Sequence, residues 1–217
     1  MALPHTALGT SSFAPGSASR LQARRAPAPS AARGRQNMVM ASVEKRIQLK
    51  GDLLREIDGT GRGVKANDEK REAIDTVASR LEKINPNKKS LASDAINGRW
   101  KLVYTTSDSI LGTNKPAPFR PNGPIYQTID AGSLKAKNQE TWPFFNSVKA
   151  DLTPANDSLV DVQFKEFTLF NLITVKAPGS AKGKLDTTYG GWRIQCRKFT
   201  GILAILSDVT PSDVTHS

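Results

Sequence analysis

A change in hydrophobic period near Gly98 constrains the fold of this chain more than any other feature. Before Gly98 the apolar residues recur at helical spacing. After it they alternate with polar residues, as in the segment RWKLVYTT and at Val160, Val162 and Phe164. About eight or nine such short segments follow, separated by turn residues and with no helical segment between them. The pattern predicts a mainly β fold, an antiparallel barrel or sandwich with one buried and one wet face.

Two helices are predicted upstream of the strands. The first covers residues 44–58 and is ended by the glycines of 59–63. The second begins after Asn67, a favourable N-cap, and ends before Pro86. The apolar residues of the first helix are assigned to one wide face: Ile47, Leu53, Leu54 and Ile57. We therefore expect a helical hairpin over residues 42–90 that covers an apolar surface.

The basic charge of the chain is concentrated at its start. The net charge is +11, and residues 1–41 contain five arginines, no acidic residue and many Ala, Ser and Pro. This composition is typical of an organelle transit peptide, and we predict a disordered chloroplast transit peptide over 1–41, with a plain basic tail as the alternative. The remaining charge of +6 is too weak for a dedicated nucleic-acid binder, so no nucleic-acid partner is expected.

Several kinds of chemistry are excluded by residue counts. The chain has one cysteine, Cys196, and two histidines, His5 and His216, at opposite ends. One cysteine cannot form an internal disulfide, and distant histidines do not make a catalytic triad or a zinc site. We therefore expect no catalytic residue, no metal site, no cofactor and no enzymatic activity. The longest apolar run after Gly201, residues 202–206, is far shorter than the roughly 20 residues of a membrane-spanning helix.

The interior of the predicted barrel is the first candidate site. About eight strands closed on themselves leave room for side chains or for one small ligand. A filled core and an apolar ligand cavity both fit the pattern. The inward-facing candidates are Trp100, Leu102, Tyr104, Ile125, Ile129, Val160, Val162, Phe164, Trp192 and Ile194.

A possible contact with a lipid surface is the second candidate site. Lys88 and Lys89 place positive charge near the start of the barrel, where it would attract anionic lipid. The segment TWPFFNS adds Trp142, Phe144 and Phe145 in a loop that contains proline. Two interpretations fit these aromatic residues: insertion into a lipid surface, or burial beneath the helical hairpin.

Several motifs, in one order, resemble the fibrillin family of plastid lipid-associated proteins. They are INGRWKLVYTTSDSILG, GPIYQTID, VQFKEFTLF, KAPGSAKG and LDTTY, and the resemblance covers residues 44–206. It implies a lipocalin-like antiparallel β-barrel, here over residues 91–210 with 211–217 as a tail, in a protein imported into plastids. Members of the family associate with plastoglobules and thylakoids, and they bind or organise carotenoids, tocopherols and quinones.

Gly98-Arg99-Trp100 also resembles the Gly-x-Trp signature of lipocalins. The resemblance implies that Trp100 closes one end of the barrel after Gly98, and that an arginine from a late strand stacks on its indole. Arg193 is the first candidate for that arginine and Arg197 the second. A cation on an indole face is worth about 0.5–2 kcal/mol.

Two functions follow from these observations. The first is a non-enzymatic lipid-associated protein of chloroplasts, with an apolar lipid or isoprenoid in the barrel and a plastoglobule or thylakoid surface as its docking partner. The second is an accessory protein with a solid barrel that binds a prenyl-lipid biosynthetic enzyme, as the resemblance implies for one branch of the family.

Overall fold

The computed structural model describes residues 30–90, 96–191, 194–199 and 202–209. The chain divides into two compact units, residues 1–38 and 39–217. The second unit contains the later turns of helix α1 and every element that follows it. The elements in chain order are α1 (Ser30–Ile57), α2 (Asp68–Lys83), β1 (Gly98–Thr105), α3 (Asp108–Leu111), β2 (Ile125–Asp130), β3 (Lys135–Glu140), β4 (Ser147–Pro154), β5 (Leu159–Leu169), β6 (Ile173–Lys176), β7 (Lys182–Gly191), β8 (Ile194–Phe199) and β9 (Ile202–Asp208). Short 3₁₀ turns cover Gly61–Gly63 and Ala117–Phe119.

The strands form a closed antiparallel barrel. Hydrogen bonds run through the order β4-β3-β2-β1-β9-β8-β7-β5, and a further pairing of β4 with β5 closes the ring of eight strands. Among the described strands, β6 pairs with β5 alone and extends the sheet as a hairpin outside the ring. The predicted fold class, a mainly β antiparallel barrel preceded by a helical hairpin, is confirmed. Of the helices in the described ranges, none has the length and apolarity needed to cross a membrane.

Helix α1 is longer than predicted and buries a different stripe. It begins at Ser30 instead of residue 44, so its first turns lie in the segment predicted to be disordered; the remainder of that segment, 1–29, lies outside the described residues. The buried stripe is Leu49, Leu53 and Ile57, four residues apart on one helix face. Ile47 and Leu54 were assigned to the same face, but 66% and 42% of their side chains are exposed, because each lies off that four-residue line.

Helix α2 begins as predicted. The Asn67 side-chain oxygen accepts a hydrogen bond from the Lys70 backbone amide at 2.9 Å, which confirms the N-cap. Asp68 and Glu69 in the first turn favour the positive end of the helix dipole. The buried face of α2 presents Ile74, Ala78 and Leu81.

The two helices cover the outer surface of the barrel around β1, β7, β8 and β9. Their buried residues form one apolar cluster with Tyr104, Tyr189, Cys196, Leu203 and Ile205. A β-bulge at Val103 brings Tyr104 into this cluster: Leu102 pairs with Leu206, whereas Tyr104 pairs with Ile205. The extra residue reverses the facing of the strand, so that Leu102 faces inward and Tyr104 faces the helices.

The turn between the helices is tied to the loop before β2. Arg62 donates hydrogen bonds from its guanidinium to the carbonyl oxygens of Gly123, at 2.5 Å, and of Pro121. Burial lowers the pKa of Arg62, and the negative charge of Glu140 opposes this shift. The glycine-rich segment 59–63 therefore ends a helix and also anchors the helical hairpin.

Candidate functional site

The barrel contains an internal cavity. Its volume is about 490 Å³, within the range of roughly 300–1,000 Å³ that small-molecule sites occupy. Of the 26 residues that line it, 16 are aliphatic or aromatic: Leu102, Ile110, Ile125, Tyr126, Ala136, Val148, Ala150, Leu152, Val162, Phe164, Phe167, Leu169, Leu185, Ile202, Ala204 and Leu206. The interior is therefore hollow and can accept an apolar molecule.

The cavity extends toward one end of the barrel. Four of the inward-facing candidates line it: Leu102, Ile125, Val162 and Phe164. Trp100, Ile129 and Val160 do not line it; they are 3%, 4% and 2% exposed and lie in the strands toward the opposite end. That end is thus closed by packed side chains, and we call it the closed end.

The remaining three residues predicted to face inward are not seen in the cavity wall. Tyr104 packs against the helices on the outside of the barrel, because the bulge at Val103 reverses its facing. Trp192 lies outside the described residues. Ile194 begins β8, and its side chain lies outside what the structure describes.

The closed end keeps part of the predicted Gly-x-Trp arrangement. Gly98 has a φ of +120°, a conformation that residues with a side chain rarely adopt. The Trp100 indole Nε1 donates a hydrogen bond to the Ile96 carbonyl oxygen at 3.1 Å. The proposed partner of the indole, Arg193, lies outside the described residues. A cation–π contact does occur nearby, where the Arg99 guanidinium lies 3.8 Å from the centre of the Tyr126 ring.

A buried polar group interrupts the apolar wall. Arg197, the second candidate for stacking on Trp100, is 1% exposed and lines the cavity. Its Nη1 donates to Gln127 Oε1 at 2.5 Å, and Gln127 Nε2 donates to Asn138 Oδ1 at 2.8 Å. Burial lowers the pKa of the Arg197 guanidinium to about 9, so the side chain remains charged at neutral pH. The inward position of Arg197 could not be predicted from the sequence, because a charged residue in a strand ordinarily faces water.

The hairpin of β5 and β6 exposes many apolar side chains beyond the barrel wall. Phe167 pairs with Val175 and Leu169 with Ile173, so these four residues share one face of the hairpin. Phe167 and Leu169 also line the cavity. The exposed apolar residues of the hairpin are Phe167 (38%), Leu169 (41%), Phe170 (56%), Leu172 (85%), Ile173 (57%) and Val175 (51%).

The predicted aromatic loop lies beside this hairpin. Trp142 is 67% exposed and Phe145 is 43% exposed, whereas Phe144 is half-buried. Phe144 contacts Phe170 edge to face, with ring centres 6.0 Å apart. The Phe170 backbone amide also donates to Asn146 Oδ1 at 3.2 Å. The loop and the hairpin thus form one exposed apolar surface, which we call the apolar rim: Trp142, Phe145, Phe170, Leu172 and Ile173.

The predicted basic residues lie at the other end of the barrel. Lys88 and Lys89 are exposed, and Lys89 Nζ is 3.5 Å from Asp157 Oδ2 in the turn between β4 and β5. The aromatic loop precedes β4, whereas Asp157 follows it, so the eight residues of β4 separate the two groups. At about 3.3 Å per residue this is roughly 25 Å. The structure does not bring the lysines and the aromatic residues together.

The described residues do not assemble a metal centre. Across the described ranges, no cluster of three or more His, Cys, Asp or Glu side chains is positioned to hold a metal ion. Cys196 is fully buried in the cluster beneath the helices. Its position is that of a core residue.

A closed antiparallel barrel with an apolar interior and an exposed apolar rim defines a class of protein: a barrel that can carry a hydrophobic ligand. The chain matches the PAP_fibrillin family over residues 47–210, which includes the last turns of α1, the whole of α2 and the nine described strands. The chain belongs to that family.

Three relatives of this chain are named as plastid proteins. The chain is 42% identical to "Probable plastid-lipid-associated protein 5, chloroplastic" of Arabidopsis thaliana, over 78% of this chain and 73% of that protein. It is 31% identical to "Plastoglobulin-1, chloroplastic" of Pisum sativum, over 64% of this chain and 39% of that protein. It is 27% identical to "Chromoplast-specific carotenoid-associated protein C1, chromoplastic" of an Oncidium hybrid cultivar, over 76% of this chain and 53% of that protein.

These relatives agree with the chloroplast localisation expected from the composition of residues 1–41. They also place the chain among plastid lipid-associated proteins. The chain spans about three quarters of the first relative but only 39% and 53% of the other two. No solved structure was found to match it.

Proposed function

We propose that this protein carries an apolar lipid or isoprenoid in its barrel and docks on a plastoglobule or thylakoid surface through the apolar rim. One observation carries the proposal: Phe167 and Leu169 of the cavity wall belong to the same hairpin as the rim residues Phe170, Leu172 and Ile173. A ligand chain can therefore pass from the lipid surface into the barrel along one apolar path. Carotenoids, quinones and tocopherols are the ligand classes expected. The names of the relatives, which include a plastoglobulin and a carotenoid-associated protein, support this proposal.

The rim has the composition that an interfacial site requires. Trp142 and Phe145 are aromatic residues, which favour the boundary between water and lipid. Leu172 and Ile173 at the tip of the hairpin are 85% and 57% exposed. Fully burying an aliphatic side chain contributes about 1.5–3 kcal/mol, so a few rim residues suffice for reversible attachment.

The cavity can be tested with α-tocopherol as the probe. The lipid-free chain is incubated with α-tocopherol, separated from excess lipid, extracted and analysed by mass spectrometry. We expect about one bound molecule per chain for the wild type, and a large loss for Val162→Trp, which places a bulky ring in the cavity wall. Thermal unfolding verifies that the variant is folded. An empty wild-type chain would contradict the proposed cavity function.

The rim can be tested by flotation with vesicles of galactolipid and phosphatidylglycerol. The double variant Trp142→Asp/Leu172→Asp puts two charges in the rim and should abolish flotation. Leu134→Asp is the matched control, since Leu134 is 42% exposed but lies in the turn between β2 and β3, at the closed end. Equal flotation of all three proteins would contradict docking through the rim.

The alternative function uses the same rim for another purpose. An accessory protein would bind a prenyl-lipid biosynthetic enzyme through the exposed hairpin, and its cavity would stay empty. Its purified wild-type chain would retain no α-tocopherol and would not float with vesicles, and the rim variant would lose the enzyme from affinity purification. The two probes above therefore separate the two functions.

A further inference from the structure

The outer edge of β6 has no partner among the described strands. One edge of β6 pairs with β5, and the opposite edge meets none of the other described strands. The Ala177 backbone amide, just past β6, donates to the Lys165 carbonyl oxygen at 2.7 Å. Hydrogen-bonded pairs recur at every second residue of an antiparallel ladder, so the odd-numbered residues of β6 direct their backbone groups to β5. The backbone N–H and C=O groups of Thr174 and Lys176 therefore point to the open edge.

The side chains along this edge are complementary to a second copy of themselves. If two β6 strands run antiparallel with Thr174 opposite the partner's Thr174, Ile173 lies opposite the partner's Val175, and Val175 opposite the partner's Ile173. Both of these apolar residues are β-branched and exposed, and cross-strand pairs of this kind stabilise a sheet. Lys176 lies opposite the partner's Leu172, so this register places no two like charges opposite each other.

The backbone groups on this edge decide which occupant fits it. An open strand edge is a template for pairing with another chain. Apolar lipid is a poor occupant, because the N–H and C=O groups of Thr174 would have no hydrogen-bond partner in it. A strand with the same sequence satisfies these groups and also matches the apolar side chains. The open edge therefore favours a second copy of this chain over lipid.

We propose that two copies of this chain pair in solution through the outer edges of β6, as an antiparallel dimer centred on Thr174. The edge is four residues long, and small interfaces give weak, transient complexes, so we expect a reversible dimer with a micromolar dissociation constant. The pairing itself is independent of the proposed function. Its effect on lipid docking rests on that function, because the dimer hides the same apolar rim.

The dimer hides the rim because its two barrels point in opposite directions. Strand β6 pairs with residues 166–169 of β5 and β7 with residues 159–163, so the ten residues of β7 continue the line of β6 away from the rim. In the antiparallel dimer, the partner's β7 therefore extends beyond the hairpin tip at Leu172. At about 3.3 Å per residue, this extension is roughly 30 Å along the strand. The partner's barrel thus keeps a flat lipid surface away from Leu172 and Ile173, and the dimer and the docked protein are alternative states.

A disulfide at the centre of the dimer tests the register. Thr174→Cys places two thiols opposite each other, where facing Cα atoms of a hydrogen-bonded pair lie about 5.5 Å apart, within the range of a disulfide. Lys176→Cys is the matched control on the same edge, because its two copies are four residues out of register and roughly 13 Å apart. The full-length variants are oxidised with glutathione disulfide and separated by non-reducing electrophoresis. We expect at least about tenfold more disulfide dimer from Thr174→Cys than from Lys176→Cys, since Cys196 is buried in both.

Charge-swapped variants test the apolar pairs across the interface. Sedimentation velocity of the lipid-free full chain should show a wild-type mass that rises toward that of the dimer between roughly 1 and 100 µM. Ile173→Lys/Val175→Lys puts like charges opposite each other in both cross-strand pairs and should stay monomeric, as should Ile173→Glu/Val175→Glu. An equal mixture of the two variants should form a heterodimer, because each pair then joins opposite charges. Formation of the heterodimer also verifies that both variants are folded.

The same disulfide tests whether the dimer hides the rim. Reduced Thr174→Cys should float with vesicles of galactolipid and phosphatidylglycerol, as expected of the wild type. The oxidised dimer should lose most of this flotation, and reduction with dithiothreitol should restore it. Lys176→Cys, treated in the same way, should float equally before and after oxidation.

The possible results separate the dimer from the proposed function. A wild type that is monomeric at every concentration would overturn the dimer, and flotation of that monomer would leave the proposed function intact. Equal cross-linking of the two cysteine variants would overturn the register centred on Thr174. Dimerisation that appears only after deletion of residues 210–217 would assign the edge to that segment instead. Flotation of the oxidised dimer would overturn the hiding of the rim. A dimer whose reduced form does not float would support the pairing and contradict the proposed lipid docking.

Discussion

The indole Nε1 of Trp100 donates a hydrogen bond to the carbonyl oxygen of Ile96, 3.1 Å away, and both residues are almost completely buried. The bond joins the first strand of the barrel to the chain just before it. Ile129, which pairs with Gly98 on the neighbouring strand, is also buried at this level. The closed end of the barrel is therefore a packed layer rather than an open mouth.

Loss of the Trp100 ring should destabilise the barrel. We expect Trp100→Ala to lower the free energy of unfolding by about 3–5 kcal/mol, because a buried aromatic ring is replaced by a cavity. Trp100→Phe should cost less, but it leaves the Ile96 carbonyl unpaired. Urea denaturation measures both. Phe119→Ala is the control, since Phe119 is 57% exposed and its truncation should cost about 0.5 kcal/mol or less.

Two adjacent leucines test how α1 packs. Leu53 is fully buried, and Leu53→Ala should lower the free energy of unfolding by about 2–5 kcal/mol. Leu54 is 42% exposed, and Leu54→Ala should change stability by about 0.5 kcal/mol or less. Both variants remove the same atoms from the same helix turn. Equal losses in denaturant unfolding would contradict the buried stripe of Leu49, Leu53 and Ile57.

Gly63 lies against the backbone of the barrel. A Cβ at this position would come within 2.3 Å of the Thr105 carbonyl oxygen, and the residue has a φ of +111°. Gly63→Ala should therefore cost at least about 2 kcal/mol, since strain and overpacking each cost roughly 1–3 kcal/mol. Gly59 also has a positive φ, +73°, but no described atom lies within 4 Å of its added Cβ.

Gly59→Ala is thus the control for conformational strain alone, with an expected loss of about 1 kcal/mol. Thermal and urea unfolding of the two variants measure the difference. Similar stabilities would show that the turn can move away from β1 and that the close contact at Thr105 does not constrain it.

The pH dependence of stability should report the burial of Tyr104. Burial raises the pKa of its phenol above the ordinary value of 10.0, while the positive charge of Arg71 opposes the shift. The unfolded chain therefore loses this proton at lower pH than the folded chain. The contribution of the protonated Tyr104 phenol to the free energy of unfolding is fully present below pH 10. It is lost as the pH rises through the folded-state pKa.

Tyr104→Phe removes this dependence. The stability of the wild type relative to Tyr104→Phe should be constant from pH 7 to about 9.5 and should fall from pH 10 upward, as measured by urea unfolding at each pH. Tyr189, whose pKa burial also raises, is present in both proteins and cancels in the comparison. A constant difference up to pH 11.5 would contradict the burial of the Tyr104 phenol.

The sequence predicted the candidate site in part. The alternation of Leu102, Ile125, Val162 and Phe164 identified four residues that line the cavity. The segment TWPFFNS identified part of the apolar rim. The hairpin of β5 and β6 was missed as an exposed surface, since an apolar strand ordinarily signals a buried face. Only the pairing order shows that β6 extends outside the ring of eight strands.

By itself, the sequence determined much of the local structure of this protein: the period of two that makes the strands, and the N-cap at Asn67. The expectation of no helical segment between the strands was wrong, because the one-turn helix α3 (Asp108–Leu111) lies between β1 and β2 and is too short to show a helical period. The tertiary structure decided which side chains face inward. One extra residue at Val103 turns Tyr104 toward the helices, and the ladder of β8 places Arg197 inside the cavity. The reason is physical, because the facing of a strand depends on its register with its neighbours, and a shift of one residue reverses every side chain that follows.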